Sequence, residues 1–522
     1  MSETEGMNVA GFDLGSCTST CAYRHSNSNS KPVIMEFGTG SGLTPSIVAF
    51  DKSNRPLVGQ DVERAIADST VNYKKVIKCA KRKIGSEMVF TDAKGNPIRP
   101  ETVQAIIGSR VRELLLANNF WKDEDVRYAF TYPVGFSDKA KELFKNALCD
   151  AGFKVSDRDF YNEAQAAMMA VAKELGTDIV GKTAMIVDIG GGTSDIIVAT
   201  VAMKGEEITL LVRSLSSDPQ LGGADYDLVV RNLILQSAED SLHIPASTLW
   251  DDPGRQQAIS RWSETTKIKL CSYQSDQDYA FNLPTGEVIS GTIPWEVFKA
   301  QTEDLTNTIV ATCKKAIDSA INDTPDNLKR LGIEKIDTPE DIDMVVFVGG
   351  GSKVPTIRQK ILEVWPEFDG RMSEAVDPQF AVAIGAVYLA ESTEEIVSRA
   401  KDAYAAKIRD TSTGELFASI HIYKNDILPT SVEITYCTPG SAVTKSNLLS
   451  ITDWTKDKGG RAPLMAARNW GEIAIDTPEE IEGQEIKIRI DMEHNGFATM
   501  TATVDGRSKK VEFELQDDVV TG

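Results

Sequence analysis

Residues 184–201 read AMIVDIGGGTSDIIVATV and contain the pattern that decides the fold. The apolar run 184–187 has the length of a buried strand, and the β-branched run 196–198 predicts a strand that returns beside it. Glycine reaches positive φ without steric cost and lets backbone N–H groups approach a phosphate closely. Three consecutive glycines fill the turn between the two runs: Gly190, Gly191 and Gly192. The stretch therefore predicts a β-hairpin with a phosphate-binding turn.

Two aspartates, Asp188 and Asp195, stand on either side of this turn. Their carboxylates would repel a bare phosphate, so they indicate a metal ion between the protein and a nucleotide. Hard oxygen ligands of this kind suit Mg²⁺ that is held largely through its waters. The alternative is an ordinary glycine-rich hairpin, because short motifs of this type also occur without a ligand.

A second stretch near the N-terminus repeats this design. Residues 8–23 read NVAGFDLGSCTSTCAY, in which an apolar run leads to Asp13, Gly15, small hydroxyl residues and a second apolar run. Ser16, Cys17 and Thr18 would direct backbone amides and hydroxyls at phosphate oxygens. Two such hairpins predict an internally duplicated domain that contributes one phosphate loop from each half.

Composition limits the class of protein. A chain of 522 residues is too long to fold around one hydrophobic core, so its length implies roughly three to five subdomains. Its 41% hydrophobic and 25% charged residues are typical of soluble globular proteins, and its net charge of −21 disfavours nonspecific binding to nucleic acid or an anionic membrane. No apolar run approaches the roughly 18 residues of a membrane helix, and no signal-peptide core follows the polar N-terminus. We expect a cytoplasmic protein without nucleic-acid or membrane partners.

The cysteines point to the same compartment. Seven cysteines are scattered along the chain, and their odd number favours reduced thiols in a cytoplasm-like environment. Cys17 and Cys21 lie four residues apart, but no matching cysteine or histidine pair follows. We do not expect a zinc site there.

Two further segments carry candidate catalytic side chains. Residues 73–85, YKKVIKCAKRKIG, are basic in an acidic chain. They predict either a solvated helix face or a lysine that reaches phosphates or an attacking water, for which Lys81 is the candidate. Glu163 precedes a predicted helix over 164–175 and suits work on a metal-bound water or a proton, although a lone glutamate there is often an ordinary helix N-terminal charge.

The remaining periodicity predicts helices followed by an all-β region. The apolar spacing in 100–118 predicts an amphipathic helix, and Ser137 would cap a helix that runs to residue 151 and ends at Gly152. Residues 386–406 look helical and charged. Residues 404–522 are punctuated by glycine-containing turns, and the alternating run 486–492 followed by Asn495-Gly496 predicts a hairpin with 497–504.

The first 390 or so residues resemble the seventy-kilodalton heat-shock chaperone family. The two glycine hairpins and the segments around Lys81 and Glu163 occur in the order and spacing of that family, and three later motifs agree: 221–227 (LGGADYD), 346–355 (VFVGGGSKVP) and 381–386 (AVAIGA). The resemblance implies an α/β fold: an actin-like ATPase domain of two duplicated lobes at 1–398, followed by a smaller all-β sandwich domain at 399–522 that is similar to the substrate-binding domain. We expect no helical lid after it, because the sequence stops at Gly522. The family's leucine-rich interdomain linker is not visible, which puts conventional coupling between the domains in doubt.

The resemblance also implies roles for individual residues around ATP or ADP and Mg²⁺. Asp13 and Asp195 would organise the metal and its waters, Asp188 would lie near the attacking water, and Lys81 and Glu163 would complete the hydrolytic site. The phosphate cradle would comprise Ser16, Cys17, Gly191, Gly192 and Thr193, the last also placed among the catalytic residues. The other nucleotide-binding residues would be Gly15, Gly190, Gly222, Gly223 and Cys271, with Glu264, Lys267, Gly350, Gly351 and Ser352 at the ribose and adenine.

This sequence departs from the family pattern mainly at the adenine. Ile268 and Lys353 stand where the family usually has arginines, Cys271 stands for a serine, and Gln379 stands for an aspartate. An arginine plane stacks on a base, whereas isoleucine offers only apolar contact and lysine is a point charge. The hydrolytic carboxylates are thus kept while the adenine clamp is weakened, which predicts slower or weaker use of nucleotide.

These features favour an ATP-dependent, chaperone-like protein with slow ATPase activity that binds unfolded or extended polypeptide segments, with co-chaperones or nucleotide exchange factors as further partners. The alternative is a nucleotide-binding regulatory partner with weak or absent hydrolysis. A small-molecule kinase shares the fold but is disfavoured by the motif order and the C-terminal β-domain.

Overall fold

A computed structural model describes residues 7–26, 28, 30–38, 40–68, 70–204, 207–322, 334–373, 375–392, 398–400, 402–410, 412–424, 426–439, 443–451, 454–455, 458–476, 482–492, 498–504 and 507–511. These residues fold into two compact units. The first unit contains the described residues of Met1–Ile208, Ser216–Asp318 and Ile336–Thr393, and the second those of Thr209–Leu215, Ser319–Lys335 and Glu394–Gly522. The boundary at 398/399 stays a prediction.

The described helices are numbered here in chain order. They are α1 (Gln60–Ala67), α2 (Pro100–Asn119), α3 (Asp138–Asp150), α4 (Glu163–Leu175), α5 (Gly223–Leu242), α6 (Ala246–Asp251), α7 (Pro253–Tyr273), α8 (Trp295–Ile321), α9 (Pro355–Val364) and α10 (Ala381–Glu391). Among the residues that the structure describes, no helix combines the length and the apolar character needed to cross a membrane.

The strands up to residue 373 are also numbered in chain order. They are β1 (Asn8–Leu14), β2 (Thr18–Arg24), β3 (Val33–Ile34), β4 (Thr44–Pro45), β5 (Ile47–Phe50), β6 (Pro56–Val58), β7 (Ile77–Lys78), β8 (Phe90–Thr91), β9 (Pro97–Ile98), β10 (Val126–Tyr132), β11 (Phe160–Asn162), β12 (Thr183–Ile189), β13 (Ser194–Lys204), β14 (Glu207–Asp218), β15 (Gln277–Asn282), β16 (Val288–Ile293), β17 (Met344–Val348) and β18 (Met372–Ser373).

Two sheets of the first unit repeat one topology. In the first sheet, β1 pairs antiparallel with β2 and parallel with β10, which pairs parallel with β11. In the second sheet, β12 pairs antiparallel with β13 and parallel with β17, which pairs parallel with β18. Parallel neighbours require a crossover that contains helices, whereas hairpin partners need only a short turn. The predicted duplication is confirmed, and the two predicted phosphate turns occupy equivalent positions after β1 and β12.

Local sequence accounts for most elements around these sheets. The predicted helix over 100–118 is α2, and α3 begins after Ser137, whose hydroxyl accepts a hydrogen bond from the backbone N–H of Ala140. Gly152, with φ +85, ends that segment as expected for a residue in the left-handed region. The helix predicted over 164–175 is α4, which starts at Glu163.

Small residues let α4 and α10 pack closely in the core of the first unit. A Cβ atom at Gly385 of α10 would lie 1.7 Å from the carbonyl oxygen of Ala166 in α4. A Cβ atom at Gly11 of β1 would lie 2.5 Å from the carbonyl oxygen of Ala383. Real Cβ atoms do not approach backbone oxygens so closely, so this backbone-to-backbone packing requires glycine at both positions.

The helix predicted over 386–406 is wrong for the described residues beyond Glu391, whereas residues 393–397 and 401 lie outside the described residues. The helix α10 ends there, and two strands follow after a gap in the described residues, β19 (Ser398–Arg399) and β20 (Ala403–Arg409). Tyr404 and Ala405 of β20 are buried in different apolar clusters, one on each face of the strand. Burial on both faces of a sheet outweighs the helix propensity of the alanine-rich sequence.

The second unit is all-β apart from short 3₁₀ segments, within its described residues after 397. Its remaining strands are β21 (Leu416–Ile422), β22 (Ile427–Leu428), β23 (Thr430–Pro439), β24 (Val443–Ile451), β25 (Arg461–Ala462), β26 (Arg468–Asp476), β27 (Glu482–Met492), β28 (Ala498–Val504) and β29 (Arg507–Val511). Most of them form one sheet in the order β25-β21-β20-β24-β26 and another in the order β23-β27-β28-β29, whereas β22 pairs with β19.

These two sheets enclose a common core, as predicted for a sandwich. Tyr404 and Leu448 of the first sheet pack with Ile486, Ile488 and Ile490 of the second. Lys487 and Arg489, which alternate with these isoleucines, are exposed. The predicted hairpin is confirmed as the antiparallel pair β27 and β28, whereas its predicted Asn495-Gly496 turn lies outside the described residues.

Replacing Gly385 by alanine should destabilise the first unit strongly. The added methyl group would collide with the Ala166 carbonyl, a backbone atom that cannot move without shifting α4. We expect Gly385→Ala to lower the free energy of unfolding by at least about 2 kcal/mol, measured by urea denaturation.

Gly108→Ala is the matched control for this substitution. Gly108 lies inside α2, and an added Cβ atom would meet only flexible side chains, of which Leu14 is the nearest at 3.2 Å. Alanine also has the higher helix propensity, so a change below about 1 kcal/mol is expected. Equal effects of the two substitutions would contradict the close packing of α4 and α10.

Candidate functional site

The two glycine turns meet at a cavity of about 320 Å³ in the first unit. Most of the residues predicted from the sequence line it, namely Asp13, Gly15, Ser16, Cys17, Lys81, Glu163, Asp188, Gly190, Gly191, Gly192, Thr193, Gly223, Glu264, Lys267, Cys271, Gly350 and Gly351. The structure brings three others near this cavity without making them part of its lining, namely Asp195, Gly222 and Ser352.

A buried ion pair lies at the floor of the cavity. The Lys81 Nζ atom donates to Glu163 Oε1 at 2.5 Å, and Lys81 is only 2% exposed. Lys81 projects from the 3₁₀ turn Ala80–Lys83, and Glu163 is the first residue of α4, where Asn162 caps the helix through its side-chain oxygen. Burying an ammonium requires such compensation. The interpretation of residues 73–85 as a solvated helix face is therefore wrong for Lys81.

Three more carboxylates surround this pair. Burial of the Asp13 carboxyl, together with the negative charge of Glu163, raises the pKa of Asp13 to about 7. Part of the residue nevertheless still faces the cavity. Burial and the charges of Glu163, Asp195 and Asp13 raise the pKa of Asp188 well above its usual value. Burial disfavours charged Lys81, but attraction to Glu163, Asp13 and Asp195 outweighs it and raises the lysine pKa.

The second glycine turn is built from backbone hydrogen bonds. Across the hairpin, Asp188 and Asp195 are direct register partners, and the Gly190 N–H donates to the Thr193 carbonyl at 2.9 Å. The start of α5 joins the same turn, since the N–H groups of Gly223 and Ala224 donate to the carbonyls of residues 190 and 191, both at 2.9 Å. These contacts fix the turn where the sequence predicted a phosphate cradle.

The cradle has no room for side chains. A Cβ atom at Gly191 would lie 2.6 Å from Cys17 Sγ, and one at Gly192 would lie 2.4 Å from Arg82 Nε. Arg82 borders the cradle beside Gly192, where its guanidinium donates a hydrogen bond to the Asp225 carboxylate at 2.7 Å. Sequence reasoning assigned no role to Arg82 or Asp225, although both lie inside motifs that were recognised.

The opposite end of the cavity combines α7 with the 3₁₀ turn Gly350–Lys353. The Lys267 Nζ atom pairs with Asp227 Oδ1 at 2.8 Å, and Ile268 leaves 53% of its surface exposed. Lys353 Nζ donates to the side-chain oxygen of Gln379 at 2.8 Å. Ser352 donates its hydroxyl to the Gly349 carbonyl at 2.7 Å, which supports the turn itself.

Several lining residues had no sequence signal of their own. Leu43, Pro378 and Val382 belong to apolar or turn segments that nothing marks as a site. Asp227 lies one helical turn after Gly223 in α5, and this spacing could have identified it as a neighbour of the glycine turn.

The donor set suits Mg²⁺ that keeps its own waters. Among the described residues, no group of three or more histidine, cysteine, aspartate or glutamate side chains is arranged to hold a metal directly. Asp13, Asp188 and Asp195 nevertheless offer hard oxygen atoms at or beside one cavity. Burial, together with the neighbouring carboxylates, raises the pKa values of Asp13 and Asp188, so a cation would stabilise their ionised forms. The residues present therefore fit the predicted metal through water-mediated contacts.

Removing the Asp13 charge should change how stability depends on pH in protein free of nucleotide and Mg²⁺. The folded-state pKa of about 7 exceeds the unfolded value of 3.8, so the stabilisation from this group is present below about pH 4 and is lost as the pH rises through 7. Between pH 5 and 7.5, Asp13→Asn should gain stability relative to wild type by on the order of 2 kcal/mol, in urea titrations.

Asp92→Asn serves as the control for this pH series. Hydrogen bonds from Asn54 and Asn96 overcome desolvation and lower the pKa of the partly buried Asp92 to about 2, so its carboxyl is ionised throughout that range. Its effect on stability should not vary between pH 5 and 7.5. A pH-independent difference for Asp13→Asn as well would contradict the buried, crowded environment assigned to Asp13.

Comparisons with known proteins agree with the geometry of this site. The family model described as Hsp70 protein matches residues 9–94 and 85–520. The Chaperone protein DnaK of Thermosipho melanesiensis is 30% identical over 384 residues, which are 72% of this chain and 58% of that relative. Proteins of the same name from Carsonella ruddii and Elusimicrobium minutum are 24% and 27% identical, over 95% and 98% of this chain and 81% and 78% of their own.

The chain thus spans less than two thirds of the Thermosipho relative, but the family model covers nearly all of this sequence. Its repeated α/β lobes and its β-sandwich agree with that match. The chain belongs to the Hsp70 family, whose fold combines actin-like lobes with a β-sandwich domain.

Proposed function

We propose that this protein is an ATP-dependent, chaperone-like protein that hydrolyses ATP slowly and uses its nucleotide state to modulate the binding of polypeptide segments. The observation that carries the proposal is the buried Lys81–Glu163 pair, which lies beside Asp13 and Asp188 beneath two glycine turns. A purely structural ion pair would not require a cavity, two glycine turns and an excess of carboxylates at one place.

Each group has a role in phosphoryl transfer to water. Backbone N–H groups of the two turns bind phosphate oxygens, and Lys81, held protonated by its carboxylate neighbours, stabilises their charge. Asp188, with its raised pKa, orients a water and accepts its proton. Bound Mg²⁺ would supply further charge neutralisation, with Asp13 and Asp195 binding its waters.

The β-sandwich is the proposed site for extended polypeptides. Its first sheet has a second apolar cluster on the face away from the sandwich core, with Tyr423, Trp454 and Leu464 partly buried against it. Met465, next to this cluster in sequence, is 92% exposed. Methionine and aromatic side chains adapt to varied apolar partners. Co-chaperones or nucleotide exchange factors are proposed as partners because the relatives are named chaperones.

A second candidate function is a nucleotide-binding regulatory partner in which hydrolysis is weak or absent. The adenine end of the cavity favours it, because Ile268 offers only apolar contact and Lys353 is engaged by Gln379. A base held by these groups lacks the stacked guanidinium planes that the family usually supplies.

Steady-state ATPase activity, with and without a denatured polypeptide, separates the two functions. The chaperone proposal predicts slow Mg²⁺-dependent hydrolysis that increases when the polypeptide is added. The regulatory alternative predicts nucleotide binding without measurable turnover. Hydrolysis that requires a small-molecule acceptor would contradict both and favour a kinase.

The carboxylates at the two turns should be essential for turnover. We expect Asp13→Asn and Asp195→Asn each to reduce Mg²⁺-dependent hydrolysis by at least about tenfold at saturating ATP, because each removes a negative charge that positions the metal. Asp92→Asn, at a residue that does not line the cavity, should leave turnover unchanged. Wild-type rates in either site variant would refute the metal assignment.

Restoring an arginine at position 268 should tighten nucleotide binding. The exposed Ile268 side chain leaves room for a guanidinium plane to stack on adenine, worth about 1 kcal/mol or roughly fivefold in affinity. Calorimetric titration with ADP measures the effect, and Ile268→Met controls for side-chain length. Equal or weaker binding by a folded Ile268→Arg variant would mean that adenine lies elsewhere.

A further inference from the structure

Two neighbouring side chains at the end of the cavity opposite the glycine turns offer hydrogen-bond donors to a bound molecule. Lys353 and Gln379 both line the cavity, and the Lys353 Nζ atom donates to the Gln379 side-chain oxygen at 2.8 Å. We propose that these two residues favour purine bases that carry an oxygen at C6, so that guanine and hypoxanthine nucleotides bind at least as tightly as adenine nucleotides. The inference rests on the proposed function, since it concerns the base of the nucleotide that this cavity would hold.

The layout of the cavity places the base of a nucleotide beside this pair. The residues of the second glycine turn, where phosphates would bind, line this cavity but not the neighbouring one of about 660 Å³. Cys271, Lys353 and Pro378 line both cavities, so they lie where the two meet. A nucleotide whose phosphates occupy the turns therefore extends its base toward Lys353 and Gln379.

The hydrogen bond between the two side chains leaves donors, rather than an acceptor, to face a base. An ammonium has three N–H donors and no acceptor, whereas a side-chain amide has one acceptor oxygen and two N–H donors. Lys353 uses one of its donors on that oxygen. The amide nitrogen of Gln379 is the nearest atom, at 3.7 Å, to a Cβ atom added at Gly350, which also lines the cavity. The pair thus presents N–H groups to the cavity.

The lining carboxylates that the structure describes lie elsewhere. Those of β1, α4 and β12 lie at the floor, and Asp227 forms an ion pair with a lysine of α7. Glu264 precedes Cys271 by seven residues of α7, roughly 10 Å along the helix axis. Asp377 accepts a hydrogen bond from the backbone N–H of Gln379 at 3.0 Å but lines only the neighbouring cavity. A base at this end therefore meets donors without a carboxylate that could accept from it.

Adenine and the 6-oxopurines differ at the edge that would face these donors. Guanine carries two acceptors there, O6 and N7, and lysine pairs with both, whereas adenine carries the N7 acceptor beside an N6 amino donor. Hypoxanthine has the same O6 and N7 acceptors as guanine. An amino group set against N–H groups loses its hydration without gaining an acceptor, which opposes binding. Lys353 and Gln379 therefore match a 6-oxopurine more closely than adenine.

The test is calorimetric titration of ADP, inosine diphosphate and GDP, each with Mg²⁺, into the 522-residue chain. Inosine diphosphate carries oxygen where ADP carries the amino group and lacks the 2-amino group of GDP, so it isolates the effect of the C6 substituent. We expect inosine diphosphate and GDP each to bind at least as tightly as ADP.

Gln379→Glu should reverse this preference. The substitution keeps the shape of the side chain but replaces the amide nitrogen by a carboxylate oxygen, which accepts from the adenine amino group and repels O6. We expect the affinity for ADP relative to inosine diphosphate to rise by about fivefold, at the lower end of base discrimination because the pair is exposed. Lys353→Met, which removes the ammonium donors, should weaken the binding of inosine diphosphate more than that of ADP.

Gln359→Glu is the matched control for the change of charge. Gln359 is an exposed residue of α9 that lines only the neighbouring cavity, where its amide nitrogen donates to the side-chain oxygen of Gln274 at 3.2 Å. The same substitution there adds a carboxylate near the cavity without a contact to the base. The ratio of the affinities for ADP and inosine diphosphate should therefore stay at its wild-type value.

Two results would overturn the inference: tighter binding of ADP than of either 6-oxopurine nucleotide by the wild-type chain, or equal shifts of the affinity ratio in Gln379→Glu and Gln359→Glu. Either result would leave the proposed function in place, because ADP would still bind. Absence of binding for all three nucleotides is a different result, which would refute the proposed function and this inference with it.

Discussion

The buried contact between Lys81 and Glu163 is the interaction on which the site depends. An ammonium removed from water is stable only when nearby negative charge and hydrogen bonds compensate for its lost hydration. Glu163 supplies this at 2.5 Å, with Asp13 and Asp195 contributing attraction. Each partner is fixed by a different element, so the 3₁₀ turn, the helix α4 and the strands β1 and β13 must all be in place before the charges balance.

The close packing of glycine makes this convergence possible. Gly385 and Gly11 bring backbone segments within distances that a methyl group would forbid, and Gly191 and Gly192 lie similarly close to the side chains of Cys17 and Arg82. Burial and neighbouring carboxylates raise the pKa values of Asp13 and Asp188, so the site without a cation disfavours their ionised forms. The end of the cavity at the glycine turns is closely packed, whereas the opposite end contains the exposed Ile268 and Lys353, which donates to Gln379.

Local patterns predicted much of this architecture. The two hairpins, the helix α2 and the Ser137 cap follow from spacing and turn chemistry within short windows, and the sandwich hairpin follows from alternation in 486–492. The helix predicted over 386–406 was wrong at β20 because the alanine-rich sequence favours a helix locally, whereas sheet pairing and burial favour the strand. The burial of Lys81 could not be predicted, since its partner lies 82 residues away. The contact of Arg82 with Asp225 likewise joins segments that no local pattern relates.

The most direct test of this account is calorimetric titration of ADP into the 522-residue chain, once with Mg²⁺ and once with a chelator of divalent cations. The account predicts saturable binding that weakens markedly when Mg²⁺ is removed, because the carboxylates around the phosphates then lose the cation that neutralises them. Absence of binding, or binding that does not respond to Mg²⁺, would contradict the assignment of this cavity as a metal-dependent nucleotide site.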